Sequence, residues 1–248
     1  MNNIYIYNDN FISMLSLIDF LIKKNITPNN IKCNNYNVTL FDNIINLNIK
    51  NDNNIIDYII NNFGNNIFRI IFNVYLSNDE NKELIIYYFY KNTIKYNYKI
   101  TSMYNLKCVL SSLKINKYVK NEAHKYKGFI RFKELKNNIL YAEIEPVNNI
   151  LFLISNHFKE RLKFEYWIIK DVNRNILSIY DKKNFYIVNG YDFKLFSNEI
   201  NKDDFYYQDL WKSFYNTLGI ESRKNDRCRM NFMPKRYWKY LTEMSDEV

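Results

Sequence analysis

The chain has 248 residues, of which 47% are hydrophobic and 18% aromatic, a globular composition with enough apolar surface for one large domain or two small ones. Its four glycines and three prolines leave little room for long flexible linkers, and a membrane span is not expected because no run reaches 18 consecutive apolar residues. The net charge of +9 is a weak pointer on its own, since a composition rich in Asn, Ile, Lys and Tyr looks like that of an AT-rich coding sequence.

Residues 1–7 alternate Ile4 and Ile6 with Tyr5 and Tyr7, which suits a short strand. The opening MNNIYIYNDNF lacks the charged and apolar regions of a signal peptide. Phe11, Leu15, Ile18 and Ile22 recur at helical spacing until Thr27-Pro28-Asn29-Asn30 breaks the pattern. Residues 36–50 read as one strand, and 52–120 as helix in three pieces. Ser77-Asn78-Asp79-Glu80 has the form of a capping box opening a helix that runs to about Lys95.

At Lys127 the period changes from 3.6 to 2, and GFIRFKELKNNILYAEIEP reads as a β-hairpin. A three-residue loop, Lys136-Asn137-Asn138, pairs Ile130 with Ile144 and Phe132 with Ala142, giving one apolar face. The other face then sets Arg131 opposite Glu143 and Lys133 opposite Tyr141. A helix over 149–162, strands over 164–171, 175–181 and 184–189, and a helix over 204–218 follow. Asp203 is the expected cap of that last helix, Gly219 its end, and Leu210, Trp211, Phe214 and Leu218 its buried stripe. A short helix is expected after Pro234. The fold class is therefore α+β: a mainly helical N-terminal region (1–120), then an α+β region (121–248) in which an antiparallel sheet with packed helices leads into a basic helical tail.

Charge is not spread evenly. Residues 1–100 carry nine Lys and Arg against eight Asp and Glu, whereas 212–240 carry eight against two. There Arg223, Lys224, Arg227, Arg229, Lys235, Arg236 and Lys239 interleave with Phe232, Tyr237, Trp238 and Tyr240. Guanidinium forks suit phosphates and aromatic rings suit unpaired bases, so this segment is the candidate nucleic-acid-binding surface, joined by Lys127 and Arg131. In that reading Tyr237 or Trp238 stacks on a base. The alternative docks Phe232, Met233, Tyr237 and Trp238 on the core with the basic side solvated.

For catalysis the candidates are few. His124 and His157 are the chain's two histidines, and Arg161 lies four residues from His157, on the same side of a helix. Glu143 and Glu145 share one face of a strand and could do acid–base work or hold a divalent ion, or else pair with Arg131 and Lys133 across the hairpin. Cys33, Cys108 and Cys228 are scattered, which points to reduced thiols in a cytoplasmic protein. With these few ligands no metal site and no cofactor is expected. Walker A, GxGxxG, HExxH and zinc-deaminase motifs are missing from the sequence.

The blocks HKYKGFIRFKEL, YAEIEP, NHFKERL, YWII, LWKSF, ESRKN and MPKRYWKYL, with YNDNFISMLSLIDFLIKK near the start, resemble a bacterial family of unknown function described in terms of DNA repair or DNA metabolism. The resemblance runs over nearly the whole chain, more loosely at 29–62 and 190–203. It implies a gene commonly placed beside a radical S-adenosylmethionine (radical SAM) protein with a DNA-modification or repair role, and in some members fusion to a uracil-DNA glycosylase-like domain. This chain has neither a radical-enzyme cysteine triplet nor glycosylase motifs, so the implied role is a standalone partner. No catalytic residue carries over from the family. The leading expectation is a DNA-binding accessory of a radical SAM protein. The competing ones are an enzyme acting on nucleic acid through His157, Arg161 and Glu143, and a protein-only adaptor.

Overall fold

Asn10 accepts the Ser13 amide on its Oδ1 at 2.7 Å, so the three residues Asn8 to Asn10 suffice to turn strand β1 (Asn2–Tyr7) into helix α1 (Phe11–Lys23). The helix packs Leu15, Ile18 and Leu21 inward and returns the chain to β2 (Asn30–Cys33), parallel to β1. A further strand, β3 (Asp42–Asn46), joins β1 from its other edge, also parallel, giving the order β2-β1-β3. Thr27 to Asn30 therefore lies beyond the end of the helix, as expected, and leads into a strand. Of the strand expected over 36–50, only 42–46 is extended, and residues 38–41 and 48 lie outside the described residues.

The computed structural model describes residues 2–37, 42–47, 49–190 and 201–244, and the chain divides into two compact units, Met1–Lys120 and Asn121–Val248. In the first unit the sheet is followed by α2 (Ile55–Phe63), α3 (Asn65–Leu76), α4 (Lys82–Tyr96), a 3-10 stretch at Asn97–Ser102, and α5 (Lys107–Phe129), whose residues from 121 onward belong to the second unit. Its core joins Leu15, Ile18, Ile31, Ile59, Ile70, Ile71, Tyr87 and Tyr90. Ser77 does not open α4. Its hydroxyl donates to the Val74 carbonyl at 2.6 Å, closing α3, and Asp79 accepts the Asn81 amide, so α4 begins only at Lys82.

The second unit is built on a five-stranded sheet of order β4-β5-β6-β7-β8. Strand β4 is only Lys133–Glu134, because α5 continues as helix to Phe129 through residues expected to be extended. The register of the turn is the expected one: Lys133 pairs with Tyr141 and Glu134 with Leu140 of β5 (Ile139–Ile144). The loop is Lys136 to Asn138, and Asn138 takes a φ of 56°, a left-handed conformation that Asn accepts more readily than most residues.

Helix α6 (Leu151–Arg161) carries the chain from β5 to β6 (Tyr166–Asp171), and these strands are parallel, with Ala142 beside Ile169 and Glu143 beside Lys170. The sheet is thus mixed rather than antiparallel, since a helical crossover returns the chain in the same direction. Strands β7 (Ile176–Tyr180) and β8 (Phe185–Asn189) complete it as an antiparallel meander. The two faces differ. Helix α6 lies on the face of Ala142, Ile169 and Ser178, where the Ser155 and Ser178 hydroxyls meet at 2.7 Å and Phe158 packs on Trp167. Leu135, Tyr141, Ile168 and Leu177 cluster on the opposite face, which also bears Glu143 and Lys133. After the sheet come α7 (Lys202–Leu218), a 3-10 turn at Glu221–Arg223, α8 (Asp226–Phe232), and 3-10 turns at Lys235–Tyr240 and Thr242–Met244.

Candidate functional site

Pro234 starts the Lys235–Tyr240 turn, which drives two aromatic residues inward. Tyr237 and Trp238 are 2% and 4% exposed. The Tyr237 ring packs edge-on to Tyr126 at 5.0 Å and against Phe129 at 5.1 Å, and the Trp238 indole N–H donates to the Met233 carbonyl. Neither ring can stack on a base without leaving the core, so the docked alternative for these two residues is the one the structure adopts. Phe232, by contrast, is exposed.

The same burial recruits several of the basic residues. Arg236 sits over the Tyr237 ring at 4.8 Å and 3.7 Å from Glu122, a buried carboxylate that also accepts the backbone N–H groups of Val147 and Asn148. Lys239 pairs with Glu145 at 2.7 Å, and Tyr240 donates to the same carboxylate, which these two partners hold below the usual carboxylate range. Arg229 pairs with Asp226 and covers Trp238 at 4.9 Å. Lys235 reaches the same indole at 5.6 Å. Arg223, Lys224 and Arg227 are exposed and form no ion pair among the described residues. The basic segment thus separates into cations that fasten the tail and cations that face solvent.

Helix α7 inverts the expected amphipathic arrangement. Asn201 rather than Asp203 caps it, accepting the Asp203 amide. Its inward side is polar: Asp204 accepts the Glu134 amide and the Gln208 side-chain amide, fixing the helix to the edge strand β4. Leu210, Trp211, Phe214 and Leu218, expected to be core, are 40–63% exposed. Trp211, Phe214, Leu218 and Ile220 line a cleft of about 640 Å³, and Arg223, Lys224 and Arg229 contribute its cationic lining. Apolar rings and guanidinium groups thus share one concave surface.

A smaller pocket of about 100 Å³ lies where β4, β5, α7 and the last turns meet, lined by Arg131, Lys133, Tyr141, Glu143, Gln208, Lys239 and Tyr240 among others. Burial, reinforced by the neighbouring carboxylate Glu143, raises the Tyr141 phenol, whose O–H donates to Glu143 at 2.7 Å. Burial and Glu145 push Tyr240 up to about 12. Glu243 connects pocket and cleft. Its carboxylate takes both Arg131 Nη2 (2.6 Å) and Nε (3.2 Å), and also the Trp211 indole N–H (3.0 Å), while the Arg131 guanidinium lies 5.6 Å over the Trp211 ring. Burial works against the charge of Glu243, yet the Arg131 hydrogen bonds hold its carboxyl below the usual range. Sequence reasoning passed over Glu243. The one available signal was an acid standing just beyond a strongly basic stretch.

The expected catalytic constellation does not assemble. His157 and Arg161 ride on α6, on the Ala142–Ile169–Ser178 face, whereas Glu143 lies on the opposite face, with the sheet between them. Direct proton transfer needs heavy atoms about 3 Å apart. Partial burial, followed by the positive charges of Lys127 and Arg161, keeps the His157 imidazole below the ordinary histidine value. His124 is exposed on α5. Among the described residues no group of three or more His, Cys, Asp or Glu gathers to hold a metal, and no helix is long and apolar enough to cross a membrane.

Residues 80–243 match the family described as a domain of unknown function, DUF4130, a span that includes every residue of the cleft and of the small pocket. No curated protein and no solved structure matches the chain.

Proposed function

The chain belongs to the DUF4130 family, and from that premise we propose that it is a nucleic-acid-binding accessory protein whose α7 cleft receives an unpaired stretch of DNA. The observation that carries this reading is the lining of the cleft. Trp211 and Phe214 present exposed rings beside the solvent-facing Arg223 and Lys224, the pairing of stacking platforms with phosphate-binding cations that single strands require. Arg227, exposed on α8, adds a further solvent-facing cation in the same segment, and Tyr237, Trp238 and Arg236 act as its foundation rather than as contacts. The DNA repair role, and delivery of the DNA to a radical SAM protein, rest on the family resemblance read from the sequence blocks.

Fluorescence anisotropy with labelled single- and double-stranded oligonucleotides over a range of salt tests the reading. Single strands should bind more tightly, and each phosphate contact should contribute about −0.7 to the log–log salt slope on single strands. Trp211→Ala should weaken single-strand binding by about 1–3 kcal/mol. Absence of binding at low salt would defeat the proposal.

A second reading has its own support. Phe205, Tyr206, Leu210 and Leu218 are all exposed on α7, which suits a protein-only adaptor that seats this helix on a partner. Co-purification with a partner that survives nuclease treatment and disappears on Leu210→Asp would favour it.

A further inference from the structure

We infer that the small pocket beside the cleft is a reading site for one guanine base of the bound strand; this rests on the nucleic-acid reading above. Lys133 and Tyr141 are paired across β4 and β5, and Glu143 is the next residue of β5 on the same face, so an ammonium and a carboxylate reach into the same space. Tyr141 donates to one oxygen of Glu143, which fixes the carboxylate in place and leaves further lone pairs for a ligand. Among the described residues no ion pair engages Lys133 or Glu143. Gln208 is held by its amide nitrogen on Asp204, which leaves its carbonyl oxygen as another acceptor on the pocket wall.

A carboxylate only accepts hydrogen bonds. Among the four DNA bases, guanine alone sets two adjacent donors, N1–H and N2–H, beside a carbonyl, O6. Glu143 accepts from the two donors and Lys133 donates to O6, a charge-assisted arrangement. Cytosine and adenine would turn a ring-nitrogen lone pair toward the carboxylate, and thymine offers a single donor between two carbonyls. Size agrees. A single bound water needs about 10–15 Å³ of such space, so about 100 Å³ holds one heterocycle but not a nucleotide pair. Position agrees as well. Arg131 forms part of the pocket wall and stacks on Trp211 of the cleft, so one side-chain layer separates a base in the pocket from a strand on the rings of α7.

The test is anisotropy on the full chain with oligothymidylate strands that differ only in one central residue: dT, dA, dC, dG or deoxyinosine, which lacks the N2 amino group. The strand with dG should bind about tenfold more tightly than the others, in line with the discrimination a bidentate base contact gives. Deoxyinosine should lose most of that preference, as should Glu143→Gln, in which the side chain can still accept from Tyr141. If all five strands bind alike, or if deoxyinosine matches dG, the guanine site is refuted while the cleft reading stands. If no strand binds, the cleft reading itself fails. Because the inosine comparison needs no variant, a misfolded Glu143→Gln would not shield the inference.

Discussion

Glu243 ties the small pocket to the cleft, because one carboxylate orients both the Arg131 guanidinium and the Trp211 indole. Its side chain is 4% exposed and that of Arg131 25%, so removing the charge leaves a partly buried cation without its counter-ion. Glu243→Gln should lower stability by about 1–3 kcal/mol in urea unfolding. The pH dependence has a definite sign. The folded-state value is depressed, so the contribution of Glu243 is present above the ordinary glutamate value of about 4.3 and is lost as pH falls through the lower folded value. Acid unfolding curves of the wild type should show that loss, and curves of Glu243→Gln should lack it. His157 shifts stability in the same direction, since its folded-state value is also depressed. As pH drops below about 6.5 the unfolded chain takes up the proton first, so the native state loses stability until the folded value is reached. An NMR titration should place His157 below the ordinary histidine value, and Arg161→Ala should move it upward.

Elements were legible in the sequence wherever local chemistry sets geometry. The loop at Lys136 to Asn138 and the register it imposes followed from the match of apolar faces, and the structure has both. Asn138→Ala should cost about 1–2 kcal/mol in thermal or urea unfolding, because a Cβ-bearing residue without a side-chain amide is strained at that φ, whereas Asn138→Gly should cost little. Periodicity failed where it had to name a partner. The spacing of Leu210, Trp211, Phe214 and Leu218 identifies a helical face but not what covers it, and in α7 the packed side is instead the polar one that holds Asp204 and Gln208. The burial of Tyr237 and Trp238 depends on Tyr126, Phe129 and Glu122, all more than 100 residues earlier, and spacing within the tail says nothing about them. Of the candidate site, then, the cations at 223–229 were visible, but stacking was expected of Tyr237 or Trp238, and Trp211 and Phe214, on the helix expected for them, were expected to be buried.

At the scale of the molecule, net charge is a poor guide to binding, since Arg131, Arg229, Arg236 and Lys239 are engaged with carboxylates and only part of the +9 is presented to a ligand. Replacing Arg223, Lys224 and Arg227 together with Ala should therefore flatten the single-strand salt slope by up to about 2, at roughly 0.7 for each phosphate no longer neutralised. Replacing Lys239 should leave the slope alone. The parallel pairing of β5 with β6 has a consequence of a different kind. Strands β6 to β8 can zip together through short turns, but β5 can take its place only once α6 has closed the longer loop behind it. The rate-limiting barrier to refolding should then lie at that closure, so that disrupting the Ser155–Ser178 hydrogen bond slows folding while changes at the β7–β8 turn mainly hasten unfolding.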